Sequence, residues 1–130
     1  MAVTIELKSD RINAGSPYSI SAAFSIPGGT ITGVSMLLAD TNNSKETIET
    51  ITTPVTLTFS ETRDDGKDLY TGTLESTETV KLLNDPLDQS SPLKHSAVVA
   101  YFQVSGTNSH GGPVQEVFYE TITNIGRNPF

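Results

Sequence analysis

Apolar residues fall at alternate positions over much of the chain. Val3, Ile5 and Leu7 follow this rule, as do Tyr18, Ile20, Ala22, Phe24 and Ile26, and a side-chain period of two belongs to strands with one face on a core. Asn13-Ala14-Gly15-Ser16-Pro17 separates these two strands, and Pro27-Gly28-Gly29 closes the second; both collect residues that turn a chain. Ile31 to Ala39 reads as the next strand, with Val34, Met36 and Leu38 on one side, ahead of a polar turn from Asp40 to Lys45 and an edge strand over Thr47 to Thr52. Val55, Leu57 and Phe59 alternate behind Pro54, whose missing N–H is tolerated at the start of a strand. Asp65-Gly66 marks a hairpin into Leu69 to Leu74.

Thr79 to Leu83 suits a short strand or a turn of helix, and Asn84 to Lys94, rich in Pro, Asp and Ser, reads as loop. His95 to Ser105 is apolar on both alternating sets, Ala97, Val99 and Tyr101 against Val98, Ala100, Phe102 and Val104, the pattern of a central strand covered on both sides. A hairpin loop over Gly106 to Pro113 leads to a return strand, Val114 to Ile122, and the residues from Thr123 onward read as irregular. The expectation is one domain over residues 1–123 with a tail over 124–130. Eight or nine short strands broken by Gly, Pro, Asn and Asp predict an all-β fold, an antiparallel sandwich, with a closed barrel as the alternative. No segment carries a helical period long enough for a parallel α/β fold with its nucleotide crevice.

Composition strengthens this picture. The chain has 130 residues, 35% of them hydrophobic, with 18 threonines against 7 alanines, a bias toward pleated surfaces and away from helix. Fifteen acidic residues against eight Lys plus Arg leave a net charge of −7, which opposes nucleic acid and anionic lipid as partners. No apolar run approaches the roughly 18 residues of a membrane span. The N-terminus lacks the basic and apolar regions of a secretory signal, so assembly in the cytoplasm is expected unless a leader has been removed. With no cysteine, disulfides and thiolate metal sites are excluded and the compartment stays open.

Asn13-Ala14-Gly15-Ser16-Pro17-Tyr18-Ser19-Ile20-Ser21-Ala22 and Gly29-Thr30-Ile31-Thr32-Gly33-Val34 resemble the opening of bacterial and phage immunoglobulin-like modules, in which an aG-x-p-x-x-I-x-A strand is followed by G-x-I-x-x-V. Asp65-Gly66 with Tyr70, Gly72 and Leu74 is similar to their D-G-x-Y-x-G-x-L segment. The chain lacks the Cys pair and core Trp of antibody-type domains. The resemblance implies an immunoglobulin-like fold used for spacing, adhesion or decoration on cells and virions.

Candidate chemistry is sparse. Asp64, Asp65 and Asp68, with Glu61 nearby, offer oxygen ligands to Ca²⁺ but lack the full calcium-loop pattern; a solvated turn is the competing account. Asp85 and Asp88 form a weaker pair. His95 and His110 are the two imidazoles, without metal-ligand spacing, and His110-Gly111-Gly112 resembles an oxyanion-hole motif without the nucleophile elbow it would serve. Glu116 and Glu120 share one strand face, where edge protection explains them better than acid–base work. The tyrosines 18, 70, 101 and 119 alternate with apolar neighbours and are expected in the core with hydroxyls at the rim, which weakens a carbohydrate platform. Asn42 and Asn43 in the first long loop and Asn108 and His110 in the second are the expected binding-loop residues. The edge strands Val3 to Leu7 and Thr47 to Thr52 are possible templates for strand addition.

The expectation is therefore a non-enzymatic interaction module without a required cofactor. It would act by protein contacts in a virion or on a cell surface, as one of several copies in an assembly. The competing class is a surface adhesion or carbohydrate-binding module assisted by Ca²⁺.

Overall fold

A computed structural model describes residues 2–4, 11–40, 50–83 and 97–126. Among the described residues there are eight strands: β1 (Ala2–Thr4), β2 (Arg11–Asn13), β3 (Tyr18–Ser25), β4 (Thr30–Asp40), β5 (Val55–Thr62), β6 (Asp68–Leu74), β7 (Ala97–Thr107) and β8 (Pro113–Gly126). A helical turn, α1 (Ser76–Thr79), runs on into a 3₁₀ turn, Val80–Leu82. The hydrogen-bonded order is β1-β3-β6-β5-β4-β7-β8-β2.

The sheet folds into two layers at β5. Its first residues, Val55 to Leu57, pair with β4, and from Thr58 onward it pairs with β6, with a register shift between Phe59 and Glu61. Gly72 of β6 leaves room for Leu57 at the crossing: a Cβ there would stand 2.6 Å from the end of the Leu57 side chain. The layers β1-β3-β6-β5 and β4-β7-β8 have the strand order of an immunoglobulin sandwich. The fold is all-β and immunoglobulin-like.

Alternation does what the sequence demands of it. Ile20, Ala22 and Phe24 of β3 face Val34, Met36 and Leu38 of β4 and Val98, Ala100, Phe102 and Val104 of β7 in one buried cluster. Phe24 joins the layers, its ring 6.0 Å from that of Phe102 and 5.9 Å from that of Phe118. Gly29 and Gly106 let β4 and β7 close at one end: a Cβ on Gly106 would lie 2.2 Å from the Thr30 carbonyl oxygen.

Several expectations are corrected. The sandwich is not wholly antiparallel, since β2, unforeseen in the sequence, pairs parallel to β8. That pairing extends β8 to Gly126 and buries Asn124, so strand continues into the span expected to be an irregular tail; residues 127–130 lie outside the described residues. Of the two alternatives for Thr79 to Leu83, a short strand or a turn of helix, the structure has helical turns through Leu82, with Leu83 extended. Of the expected edge strand 47–52, Thr50 forms one bridge to Ala39. Beyond it, Thr52 substitutes its hydroxyl for a ladder partner, accepting from the Leu38 N–H at 2.9 Å. Residues 5–10, 84–96 and 41–49, including Asn42, Asn43, Asp85, Asp88 and His95, lie outside the described residues.

Buried threonine chemistry ties the helical turn to the β2–β3 turn. Thr79, fully buried, donates its hydroxyl to the Ser16 carbonyl at 2.8 Å and accepts from the Gly15 N–H at 3.1 Å. Gly15 sits at φ 84°, in the left-handed region that glycine occupies without steric cost.

Candidate functional site

Three of the expected binding and metal residues, Asp65, Asp68 and Asn108, use their side chains within their own turns. Between β5 and β6, Gly66 (φ 83°) donates its N–H to the Arg63 carbonyl, and the Lys67 N–H donates to Asp65 Oδ1 at 3.0 Å. Asp65 also pairs with Arg63 at 3.8 Å, while Asp68 accepts from the Thr62 hydroxyl at 2.9 Å. Asp64 is exposed, and Glu61 to Asp65 line a shallow polar hollow. Among the described residues no three His, Asp or Glu side chains are grouped to hold a metal ion.

The β7–β8 hairpin follows the same logic. Asn108 Oδ1 accepts from the N–H groups of His110 and Gly112, both at 2.9 Å, which commits its amide oxygen to the turn and leaves His110 exposed. Glu116 and Glu120 are exposed on the core-side face of β8, flanking Phe118. Among the described residues no strand pairs with β8 on its far side between 113 and 122, so these carboxylates guard an edge.

Two titratable groups are displaced from their ordinary range, each for a structural reason. Burial, and then the charge of Asp68, pushes the Tyr70 phenol up. Hydrogen bonds from Lys81 and Thr53 pull the Glu78 carboxyl down to about 2; Lys81 Nζ lies 2.5 Å from Glu78 Oε2, and the Thr53 N–H and hydroxyl both donate to Oε1. This clasp joins α1 to the segment entering β5. Neither group lies in a cleft with a nucleophile.

What remains is the outer face of β4, β7 and β8. The register places Gly33, Ser105 and Gln115 in one rung, then Ser35, Gln103 and Val117, then Leu37, Tyr101 and Tyr119, then Ala39, Val99 and Thr121. None of these twelve side chains is charged, in a chain with 23 acidic and basic residues (15 + 8). Val117 is 57% exposed and Tyr119 68%, and the Tyr101 and Tyr119 rings lie side by side at 6.1 Å. Beside them is an open, mainly apolar hollow of about 360 Å³ whose walls include Met36, Leu37, Pro54, Tyr101 and Val117. A smaller hollow continues it across Ser35, Thr56 and Gln103.

This face corrects one reading of the sequence. β7 is central within its layer, between β4 and β8, and its outer face is covered unevenly, with Val99 buried, Tyr101 partly exposed and Gln103 exposed. Tyr18 and Tyr70 are core residues, whereas Tyr119 stands in solvent and Tyr101 is partly exposed beside it. The signal available in the sequence was the second apolar set of β7, Val99 and Tyr101, matched by Leu37 and Val117 in neighbouring strands. The face holds no imidazole, carboxylate or amine for acid–base work near neutral pH; its apolar area and exposed aromatics suit contact.

Among the described residues no helix is long and apolar enough to cross a membrane. No family model matches the chain, and no curated protein matches it. A solved structure of murine CRIg aligns with 98% of this chain and 98% of its own at 11% identity and a TM-score of 0.45. That likeness is too distant to carry an argument, and the immunoglobulin-like assignment rests on the strand order.

Proposed function

We propose that this chain is a non-enzymatic contact module that docks a protein partner on the outer face of β4, β7 and β8, as a structural or decoration part of a virion. The observation that carries the reading is the exposure of Val117 and Tyr119 on an uncharged face beside a mainly apolar hollow. Exposed tyrosines beside apolar hollows are the residues around which protein interfaces concentrate their binding energy. The virion setting draws support from a cysteine-free fold that needs no oxidising compartment and from a charge of −7 that resists adsorption to nucleic acid.

Site-specific photocrosslinking in the source cells and particles tests it. A benzophenone side chain at position 117 is expected to capture a discrete protein, while the same group at position 73, on the outer face of the other layer, does not. Equal capture from both positions, or none from 117, overturns the reading.

The Tyr101–Tyr119 pair also favours a second reading, a surface module that stacks a sugar ring on its aromatic faces. The mainly apolar hollow beside the pair ranks this below protein contact, since sugars need converging hydrogen-bond partners. Saturable binding on a glycan array that Tyr119→Ala abolishes would reverse that order.

A further inference from the structure

We infer that the partner presents an extended, basic segment that adds itself to the sheet along the open edge of β8; the inference rests on the contact reading and states how the partner is held. The first argument is the edge itself. β8 pairs with β7 from Pro113 to Thr123, and among the described residues its far side is taken only from Thr123 onward, by β2. Gln115, Glu116, Val117, Tyr119, Glu120 and Thr121 are all exposed, with Phe118 half-buried among them. In an antiparallel pair every second residue turns its N–H and C=O away from its neighbour, and such a row is a template for strand addition. The stretch has two natural ends, since Pro113 lacks an N–H and Arg11 stands opposite Thr123. Between them, residues 115–121 span about 23 Å at 3.3 Å per residue.

The second argument is charge, and it selects the occupant. Glu116 and Glu120 lie four positions apart on the core-side face of β8, one on either side of Phe118. Across neighbouring strands an opposite-charge pair stabilises and a like-charge pair does the reverse. A second copy pairing its own β8 about a two-fold axis at Phe118 would set Glu116 against Glu120 twice, so these carboxylates turn the chain's own edge away. A strand with Lys or Arg at two positions four apart, and an apolar residue midway, meets both carboxylates and Phe118 at once. Its intervening side chains then fall on the outer face beside Val117 and Tyr119, where β-branched and aromatic residues make the best cross-strand pairs. The net charge of −7 steers a basic segment toward the chain. Backbone hydrogen bonds along β8 would hold the segment, ion pairs on one face would fix its register, and apolar contact on the other face would complete it.

Two capped peptides of identical composition test the register. Thr-Lys-Val-Val-Val-Lys-Thr places its lysines four apart, whereas Thr-Val-Lys-Val-Lys-Val-Thr places them two apart and can set only one against a glutamate. Each is titrated to about 2 mM into the ¹⁵N-labelled full chain, with amide shifts as the readout, at low and high NaCl. The first peptide is expected to shift the amides of residues 115–121, to bind at least about threefold more tightly than the second, and to weaken as salt rises. Glu116→Lys combined with Glu120→Lys should weaken it at least about threefold and accept Thr-Glu-Val-Val-Val-Glu-Thr in its place. Glu61→Lys combined with Glu75→Lys makes the same change in charge on the β5–β6 side and should leave the preference between the two lysine peptides unchanged. All four glutamates are exposed, and unchanged melting curves verify that the variants fold. No shift along β8, equal binding of the two lysine peptides, or a Glu116/Glu120 double variant that still takes the first peptide overturns the inference. If crosslinking from position 117 captures a discrete protein while the peptides fail, strand addition alone falls; if it captures nothing, the contact reading falls with it.

Discussion

The hydroxyl of Thr79 is the element of this sandwich whose removal has the most calculable cost. Thr79→Val keeps the shape and deletes the oxygen, leaving the Gly15 N–H and the Ser16 carbonyl without the partner they have at 3.1 Å and 2.8 Å. A buried backbone group left unpaired costs about 1–3 kcal/mol. Both groups here are part-buried, so water recovers some of that loss, and the sum for two is about 2–4 kcal/mol. For a domain of this length 1 kcal/mol moves the melting midpoint by about 3–6 °C, so the variant is expected to melt about 6–24 °C below the parent. Thr79→Ser, which keeps the hydroxyl and loses a methyl group, is expected to cost only about 1 kcal/mol. Urea titrations followed by circular dichroism measure both, with the slope unchanged if only the native state is affected. Amide exchange at Gly15 should accelerate in the valine variant alone. A valine variant within about 0.5 kcal/mol of the parent, or a serine variant less stable than valine, would refute the bond-based account.

Three further outcomes follow from the same structure. The folded-state pKa of Glu78 lies below its ordinary 4.5, at about 2, so its clasp contributes fully above pH 4.5 and is lost as the pH falls toward 2. Allowing for solvent screening, Glu78→Gln should cost about 1–2 kcal/mol at pH 7, a difference from the parent that shrinks in melts recorded between pH 4.5 and 2. Gly106→Ala drives a methyl group against the Thr30 carbonyl oxygen and should cost about 1–3 kcal/mol by chemical denaturation. Gly33→Ala, with open space at its Cβ, should stay within about 0.5 kcal/mol. With Asp65 and Asp68 already engaged in their turn, millimolar Ca²⁺ should leave the melting midpoint unmoved in differential scanning calorimetry; a rise abolished by Asp65→Ala would restore a metal role.

The strands were legible where one face meets the core and the other meets water. Val34, Met36 and Leu38 declared β4 through their spacing, and Asp65-Gly66 declared the hairpin through the left-handed φ that Gly66 adopts. The parallel β2–β8 pair was not legible, because three residues with a single apolar member, Ile12, carry no period and their partner lies more than a hundred positions away. Nor was the switch of β5 between layers, because Val55 to Phe59 keep one alternating pattern while their hydrogen-bonded partner changes from β4 to β6. The outer tyrosines were misread for a more general reason: Tyr101 and Tyr119 alternate with apolar neighbours whether a second layer or solvent faces them, and pattern alone does not distinguish these settings. Asn108 and Asp65 were legible as polar loop residues, but their side chains serve backbone groups within a few positions of themselves.

The parallel pairing of β2 with β8 also determines how the domain bears tension. Arg11 lies opposite Thr123 and Asn13 opposite Gly126, so a pull on the segment before Arg11 and another on the segment after Gly126 act along the pair in opposite directions. Once β1 has been drawn from β3, the load reaches these hydrogen bonds in shear, all together, rather than peeling them one at a time. A parallel clamp therefore opens at a rate set by breaking the whole group, and forced unfolding is governed by such rates rather than by equilibrium stability. A short strand with little weight in the folding balance becomes the element that resists when the domain is stretched.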